Sequence, residues 1–322
     1  RVRFSQASIY AQDEWSVREN FKLTYGVRFD GLFFNNKDVV TNNAILKLNY
    51  YPKAKDFKET HIDTGKWPGA QLAVSPRVGF NWDVFNNKSL KVRGGTGLFS
   101  GRLPLVFFTN MPTNSGSVQY QAQINAKNAA KKGFTMAEFA GGLVKDANGK
   151  VTTNALYQKL LSLGYPANYK PEDGTVPSSI SAVDKKFKMP QVWKTSLAVD
   201  YAIPTSFPFS VSVEGIFNKT INGVMISDWS MKDVRAYAKF NGVDNRPIYP
   251  DSFRNGTSAF VLENTNKGYG YSASATVNMT PIPEVNIMAA YTHTVSKEIT
   301  SMPGSNAESA FTYVPTVAGP NY

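Results

Sequence analysis

Along SPRVGFNWDVFNNKSLKVRGGTGLF, residues 75–99, apolar and polar side chains alternate. Val78, Phe80, Trp82 and Val84 interleave with Arg77, Gly79, Asn81 and Asp83, and Leu90 and Val92 then interleave with Lys91 and Arg93. Successive side chains of a strand point to opposite faces, so this period of two predicts strands with one apolar and one polar face. Asn86-Asn87-Lys88-Ser89 is turn chemistry, and the two arms are expected to pair as an antiparallel hairpin.

Three more hairpins follow from the same pattern. SQASIYAQDEWSV turns at Arg18-Glu19-Asn20 and returns through FKLTYGVRFDGLFF; QVWKTSLAVDYAI turns at Pro204-Thr205-Ser206 and returns through FPFSVSVEGIFNKT. GYGYSASATVNM turns at Pro281-Ile282-Pro283 and returns through VNIMAAYTHTV. Pro76 is expected at a strand start or a bulge. Between the hairpins lie long polar stretches at 35–71, 103–188 and about 228–266, so short and long connections alternate strictly. The longest contains helix formers with near-3.6 apolar spacing, interrupted by Gly133, Gly141 and Gly142, which predicts two or three short helices.

A soluble sandwich turns its apolar strand faces to a partner sheet, whereas a transmembrane barrel turns them to lipid and its polar faces to a wet lumen. Strict alternation favours the barrel, because tight turns at one rim and large loops at the other are its signature, and structureless loops beyond roughly 12–15 residues are uncommon in compact domains. Trp15, Phe21, Trp82, Phe85, Tyr201, Phe207 and Phe209 all fall near short turns, as an interfacial girdle would. Phe33, Phe34, Phe99, Phe107 and Phe108 at the opposite strand ends are candidates for a second girdle. The expected fold is all-β: about eight antiparallel strands belonging to a larger transmembrane barrel, with long, partly helical extracellular loops.

Composition sharpens this picture. Mean hydropathy is −0.29 and no run approaches the roughly 20 apolar residues of a membrane helix, which leaves barrel strands of about 9–11 residues. Sixteen Tyr and 21 Phe suit aromatic girdles. The 322 residues contain no cysteine, so disulfides and thiolate metal sites are excluded. A formal net charge of +11 points to acidic partners, namely anionic lipid and lipopolysaccharide; basic residues are scattered singly, which argues against nucleic acid. No initiator Met or signal peptide opens the chain, which is expected to be a fragment or a processed piece.

Candidate chemistry is sparse. RGGTG at 93–97 lacks the Gly-Lys-Ser/Thr ending of a phosphate loop and reads as strand glycines. DANGK at 146–150 and EDGT at 172–175 lack a calcium-loop ligand series and read as turns. His61 and His293 have no companion ligand spacing, and no nucleophile–base set is visible, so neither enzyme activity, a cofactor nor a metal is implied. Charges on the polar rows, including Arg28, Arg77, Arg93 and Glu214, are expected to face the lumen, as an ion-pair lattice or as groups that hold an interior plug or line a substrate path. Trp229, Tyr237, Tyr249, Phe253, Tyr165 and Tyr169 are loop aromatics expected to be exposed, where they could contact a sugar or peptide substrate or pack the loops together.

Two stretches carry a family resemblance. IYAQDEWSVRENFKLTYGVRFD resembles a barrel hairpin of TonB-dependent receptors, and SPRVGFNWDV followed by LKVRGGTGLFSGRLPLVFFTN is similar to the Oar-like and SusC-like receptors of Bacteroidetes. Together they cover about the first third of the chain. The resemblance implies a barrel of about 22 strands in the outer membrane of a Gram-negative bacterium, plugged by an N-terminal domain. It implies active import of a large or scarce nutrient such as an oligosaccharide, peptide or chelate, with TonB, ExbB and ExbD as partners through the plug and a surface lipoprotein as a further candidate partner. No plug or TonB box is visible here, so the chain is expected to be mid-barrel. A passive, structural or adhesive barrel and a soluble β-sandwich binding module stand as alternatives.

Overall fold

The computed structural model describes residues 2–102, 105–117, 127–141, 144–165, 176–250, 258–299, 308, 311 and 317. The four expected hairpins form: β1 (Phe4–Arg18) with β2 (Phe21–Phe34), β3 (Gln71–Asp83) with β4 (Leu90–Ser100), β8 (Gln191–Ala202) with β9 (Phe209–Asp228), and β11 (Tyr269–Ile282) with β12 (Val285–Lys297). They lie side by side in one antiparallel sheet, β1-β2-β3-β4-β8-β9-β11-β12. All four short turns sit at one rim and the three long connections at the other.

Register makes the two faces continuous. Trp15 opposes Leu23, Leu23 opposes Phe80, and Trp82 opposes Val92, which opposes Val199 and through it Val213. On this outer face Ile9, Leu72 and Tyr291 are about 70% exposed, at 70%, 68% and 70%. Apolar side chains left bare in a row across eight strands face a solvent other than water. The other row runs Lys22, Asn81, Arg93, Ala198, Glu214, Ser274 and Thr292, polar or small throughout. Among the described residues no second sheet covers the apolar row, as a sandwich would require.

Two details differ from expectation. Val84 lies in the β3–β4 turn rather than in the outer row. Pro281 lies inside β11, where the register with β12 shifts between Met279 and Ile282, and the turn is Pro283-Glu284. A strand proline is tolerated at such a bulge because the ladder is already interrupted there. Pro76 sits within β3, at neither its start nor a register shift; it lies just beyond Arg77–Gly97, the last pair of the ladder to β4.

The long connections hold more order than expected. They contain α1 (Asn43–Leu46), α2 (Leu105–Thr113), α3 (Met136–Gly141), β5 (Val144–Lys145), β6 (Val151–Thr152), α4 (Asn154–Ser162), β7 (Ser179–Val183) and β10 (Ser258–Thr265). The predicted short helices are present, and α3 opens on a capping box: Glu138 N–H donates to Thr135 Oγ1 at 3.1 Å while the Glu138 carboxylate accepts from Thr135 N–H at 2.9 Å. DANGK is a turn, its Asp146 carboxylate accepting from Asn148 and Lys150 N–H at 2.9 Å.

β7 and β10 extend the sheet to ten strands. β9 continues past the wall, and its last six residues pair with β10, which pairs in parallel with β7. β10 and β11 keep one register along β9, Thr265 opposite Gly223 and Tyr269 opposite Lys219. Around this raised sheet the three long connections pack into a cap. Phe260 and Leu262 point into one core with Val39, Trp67, Phe107, Phe108 and Phe187; Ala259 and Val261 point into another with Ile45, Tyr50, Ile62 and Trp229. The connections are also tied by polar bonds, Asn42 Nδ2 to Ser115 O at 2.9 Å and Tyr51 N–H to Trp229 O at 2.6 Å.

The lower girdle side chains fall in place near the short turns, with Phe21 opposite Trp82 and Tyr201 opposite Leu90. The second girdle does not form as expected. Phe107 and Phe108 are buried in the cap, Phe34 stacks on Phe108 at 5.0 Å, and Phe99 is on the polar row; Phe33 alone of the five remains on the outer face, half exposed. Phe34, Phe107 and Phe108 find hydrophobic partners in the cap, which removes them from lipid.

Candidate functional site

Two places gather polar groups around space: the polar face of the wall and a charged hollow in the cap. On the wall, Arg28 and Asp30 sit on one side of β2, two residues apart, and the Arg28 Nε donates to both Asp30 oxygens at 3.0 Å. Ser8 Oγ adds a 2.6 Å bond to the same carboxylate, which is 2% exposed. A carboxylate this buried needs such a complement of donors. Nearer the short turns, Arg93 Nε donates to Asp200 at 3.0 Å and its Nη1 lies 3.6 Å from Glu214. Arg28, Arg93 and Glu214 thus belong to ion-pair clusters. Arg77 does not: it lies on the same row, between the two clusters, with its guanidinium 6.0 Å from the Phe99 ring centre.

Two hollows open on this face. One of about 470 Å³ lies toward the cap, lined by Gln6, Arg28, Asp30, Ser75, Arg77, Phe99, Arg102 and Met189. The other, about 460 Å³, lies toward the short turns, lined by Thr24, Gly79, Gly95, Ser196, Glu214, Arg77, Phe99 and Lys194. The small residues Gly79, Gly95 and Ser196 occupy one cross-strand row and leave the second hollow its depth.

In the cap, Trp229 is 3% exposed, so the expectation of an exposed aromatic is corrected. The indole packs among Ile45, Tyr50, Ile62 and Val261, and its Nε1 donates to Ser227 Oγ at 3.1 Å. One edge still lines a hollow of about 250 Å³ with Lys55, His61, Asp63, Lys66, Asp184 and Lys185. Lys55 Nζ stands 5.2 Å from the Trp229 ring centre, within cation–π range. Asp63 carries a pKa below the usual carboxylate range: burial opposes this, and hydrogen bonds from Thr41, Gly65 N–H and Lys66 outweigh it.

Tyr249 is also buried, with Met231, Val234 and Val317, and Tyr237 packs against that cluster half-buried. Long polar segments suggest loops with exposed aromatics, whereas here they fold on one another and take these side chains inside. Tyr165 closes α4, its N–H donating to Leu160 O at 3.1 Å. Phe253 and Tyr169 lie outside the described residues. The structure therefore divides these aromatics: Trp229 borders a charged hollow, and Tyr237 and Tyr249 serve a separate core.

One group escaped the sequence reading. Glu263 on β10 is 2% exposed and accepts from Ser227 Oγ, so Trp229, Ser227 and Glu263 form a buried hydrogen-bonded chain. Burial pushes the Glu263 carboxyl up to about 7, against the downward pull of its bonds to Ser227 and Trp229. Burial likewise raises Asp228, which accepts from Ala259 N–H and Ser230. The available signal was AFVLE at 259–263, an acidic residue closing an unbroken apolar run. Among the described residues no group of three or more His, Cys, Asp or Glu could hold a metal ion.

Residues 1–318 match the outer membrane beta barrel domain family. Among solved structures, the chain is similar to the copper transporter OprC, at 9% identity and a TM-score of 0.43 over 91% of this chain and 30% of that one. It is also similar to the FrpB iron transporter from Neisseria meningitidis, at 10% identity and a TM-score of 0.38 over 92% and 26%. A third similarity is to the siderophore receptor PirA from Pseudomonas aeruginosa, at 8% identity and a TM-score of 0.40 over 92% and 35%. The chain spans between 26% and 35% of the length of these three proteins. No curated protein sequence matches it.

Proposed function

The chain belongs to the outer membrane beta barrel domain family and resides in the outer membrane, and on that premise we propose that it forms part of the wall and the cap of an energised importer. The observation that carries this reading is an open wall with a packed cap at one rim. Among the described residues β1 pairs with β2 alone and β12 with β11 alone, so the eight wall strands do not close on one another. An eight-stranded barrel fills its interior with side chains, whereas a wall open at both edges suits a wider barrel with a lumen. The hollows beside Arg77 and Glu214 lie on that lumenal face, and the cap offers the charged hollow beside Trp229 where a solute is first met.

The cargo class is a large or scarce nutrient, an oligosaccharide, peptide or chelate, and the hollow lined by Lys55, His61, Asp63 and Lys66 beside Trp229 is the place most suited to receive it. The drive by TonB, ExbB and ExbD, the surface lipoprotein partner and the placement with Oar-like and SusC-like receptors rest on the resemblance of residues 9–30, 75–84 and 90–110. Cells carrying the full-length receptor should lose uptake when the proton gradient is collapsed or TonB is deleted. Uptake that persists under both treatments identifies a passive pore and ends this reading. Deleting 120–165, which includes α3 and α4 and, among the described residues, none of those of the two main cap cores, should leave assembly intact and abolish uptake. Unchanged uptake by the assembled deletion variant removes that segment from the mechanism.

A further inference from the structure

The polar face has two kinds of cation. Arg28 is matched by Asp30, and Arg93 by Asp200 and Glu214, at 2.9 to 3.6 Å. Arg77 and Lys194 have no carboxylate within ion-pair distance among the described residues, and neither does Arg102 at the mouth of the upper hollow. Register brings the first two together: Arg77 opposes Gly97, and Gly97 opposes Lys194. The glycine matters, since a Cβ at Gly97 would lie 2.9 Å from Pro76 O and 3.0 Å from Arg77 Cβ. Phe99, two residues on along β4, takes both cations against its ring, Arg77 Cζ at 6.0 Å and Lys194 Nζ at 5.9 Å from its centre.

We propose that Arg77 and Lys194, both held against the Phe99 ring where the two lumenal hollows meet, form a binding site for an oxyanion, a carboxylate or a phosphate. Two like charges held against one ring repel each other, and the ring's quadrupole offsets only part of that. An oxyanion between them removes the repulsion; the planar guanidinium offers it a two-donor fork and the ammonium a point charge. A channel walled by low-dielectric protein and lipid focuses this field into the space beside it. The hollows on either side have the 300–1,000 Å³ size in which small-molecule groups bind, about 470 and 460 Å³. The anion is either part of a solute in the lumen or an acidic side chain of a polypeptide segment seated inside the barrel.

The site rests on reading the polar face as the lumen, as proposed above. It is tested by binding rather than by uptake, so a receptor that proves to be a passive pore would leave it standing. Detergent-solubilised full-length receptor is titrated with citrate at low and at physiological salt. Binding that weakens with salt, and that falls at least tenfold in Arg77→Gln/Lys194→Gln but not in the charge-matched turn variant Arg18→Gln/Lys88→Gln, supports the solute source. In parallel, carbodiimide coupling followed by peptide mapping looks for an amide between Lys194 Nζ and a carboxylate; such a link to a segment outside the wall supports the polypeptide source. Retained mobility of the unheated barrel shows that each variant is folded. Citrate binding that is absent or indifferent to the double variant, together with no Lys194 coupling, overturns the proposal.

Discussion

The wall and the cap solve burial in opposite ways, although β9 belongs to both. In the wall half of β9, Val211, Val213 and Phe217 point outward and Ser212 and Glu214 point inward, so every second residue tells which solvent it meets. In the cap half, Met225, Ile226, Ser227 and Asp228 are all buried, with protein on both faces. The wall turns its hydrophobic side chains out; the cap turns them in. The same substitution should therefore have different costs in the two regions.

The largest expected effect is in the cap. Phe108 is fully buried and touches three other rings, Phe34, Trp67 and Phe187, with centres 5.0 to 5.7 Å away. Phe108→Ala should destabilise the cap by about 3–5 kcal/mol, read as faster proteolysis of the long connections in an otherwise assembled barrel. Next comes charge on the outer face of the wall. Val78→Arg should impair membrane assembly by about 2–4 kcal/mol, whereas Asn81→Asp on the polar row should assemble as the parent does. If both assemble equally well, the assignment of faces is reversed or void.

A smaller effect should depend on pH. The folded pKa of Glu263 is raised to about 7 from an ordinary value of 4.5, so between those values the folded cap holds a proton that the unfolded chain has released. Its contribution is therefore fully present below that window and is lost as pH rises through it, by on the order of 2–3 kcal/mol. Buried Asp228, also shifted upward, acts in the same sense. Cap protection against protease should fall from pH 5 to 8, and Glu263→Gln should flatten the profile. The smallest effect should come from Arg93→Gln, because its partners Asp200 and Glu214 are about one-third exposed, at 35% and 32%, and such pairs contribute about 1 kcal/mol or less. A thermal midpoint unchanged within a few degrees is the expected result.

The contrast also explains what could be read from the chain. Wall strands such as Phe21–Phe34 meet lipid on one side and water on the other, and that asymmetry writes itself as a period of two. Ser179–Val183 and Ser258–Thr265 meet protein on both sides: AFVL shows no alternation, and the Ser-Ile-Ser-Ala alternation of SISAV is too short to mark a strand by itself. Short apolar runs of this kind cannot be assigned by periodicity alone. The same blindness places Trp229 on the surface: nothing local to DWSMK says that Ile45, Tyr50 and Ile62, far earlier in the chain, close over it. On the wall, the polar row was legible residue by residue, but which of its charges are matched was not. Arg77 and Arg93 look alike in sequence and differ only in what neighbouring strands bring opposite them.

β9 runs 20 residues without a break from the short-turn rim into the heart of the cap, and β10 and β11 flank it in a single register. Mechanically this is a mast stepped through the deck. A pull on the cap is carried into the wall along a ladder of backbone hydrogen bonds in shear, the direction in which such ladders resist best. The raised sheet is tied to the wall through β9, whose ladder to β8 shifts register between Thr220 and Asn222, so any bend of the cap against the wall falls at that bulge. The parts hung from the mast are held less tightly: among the described residues α3 and α4 contribute none to the two main cores.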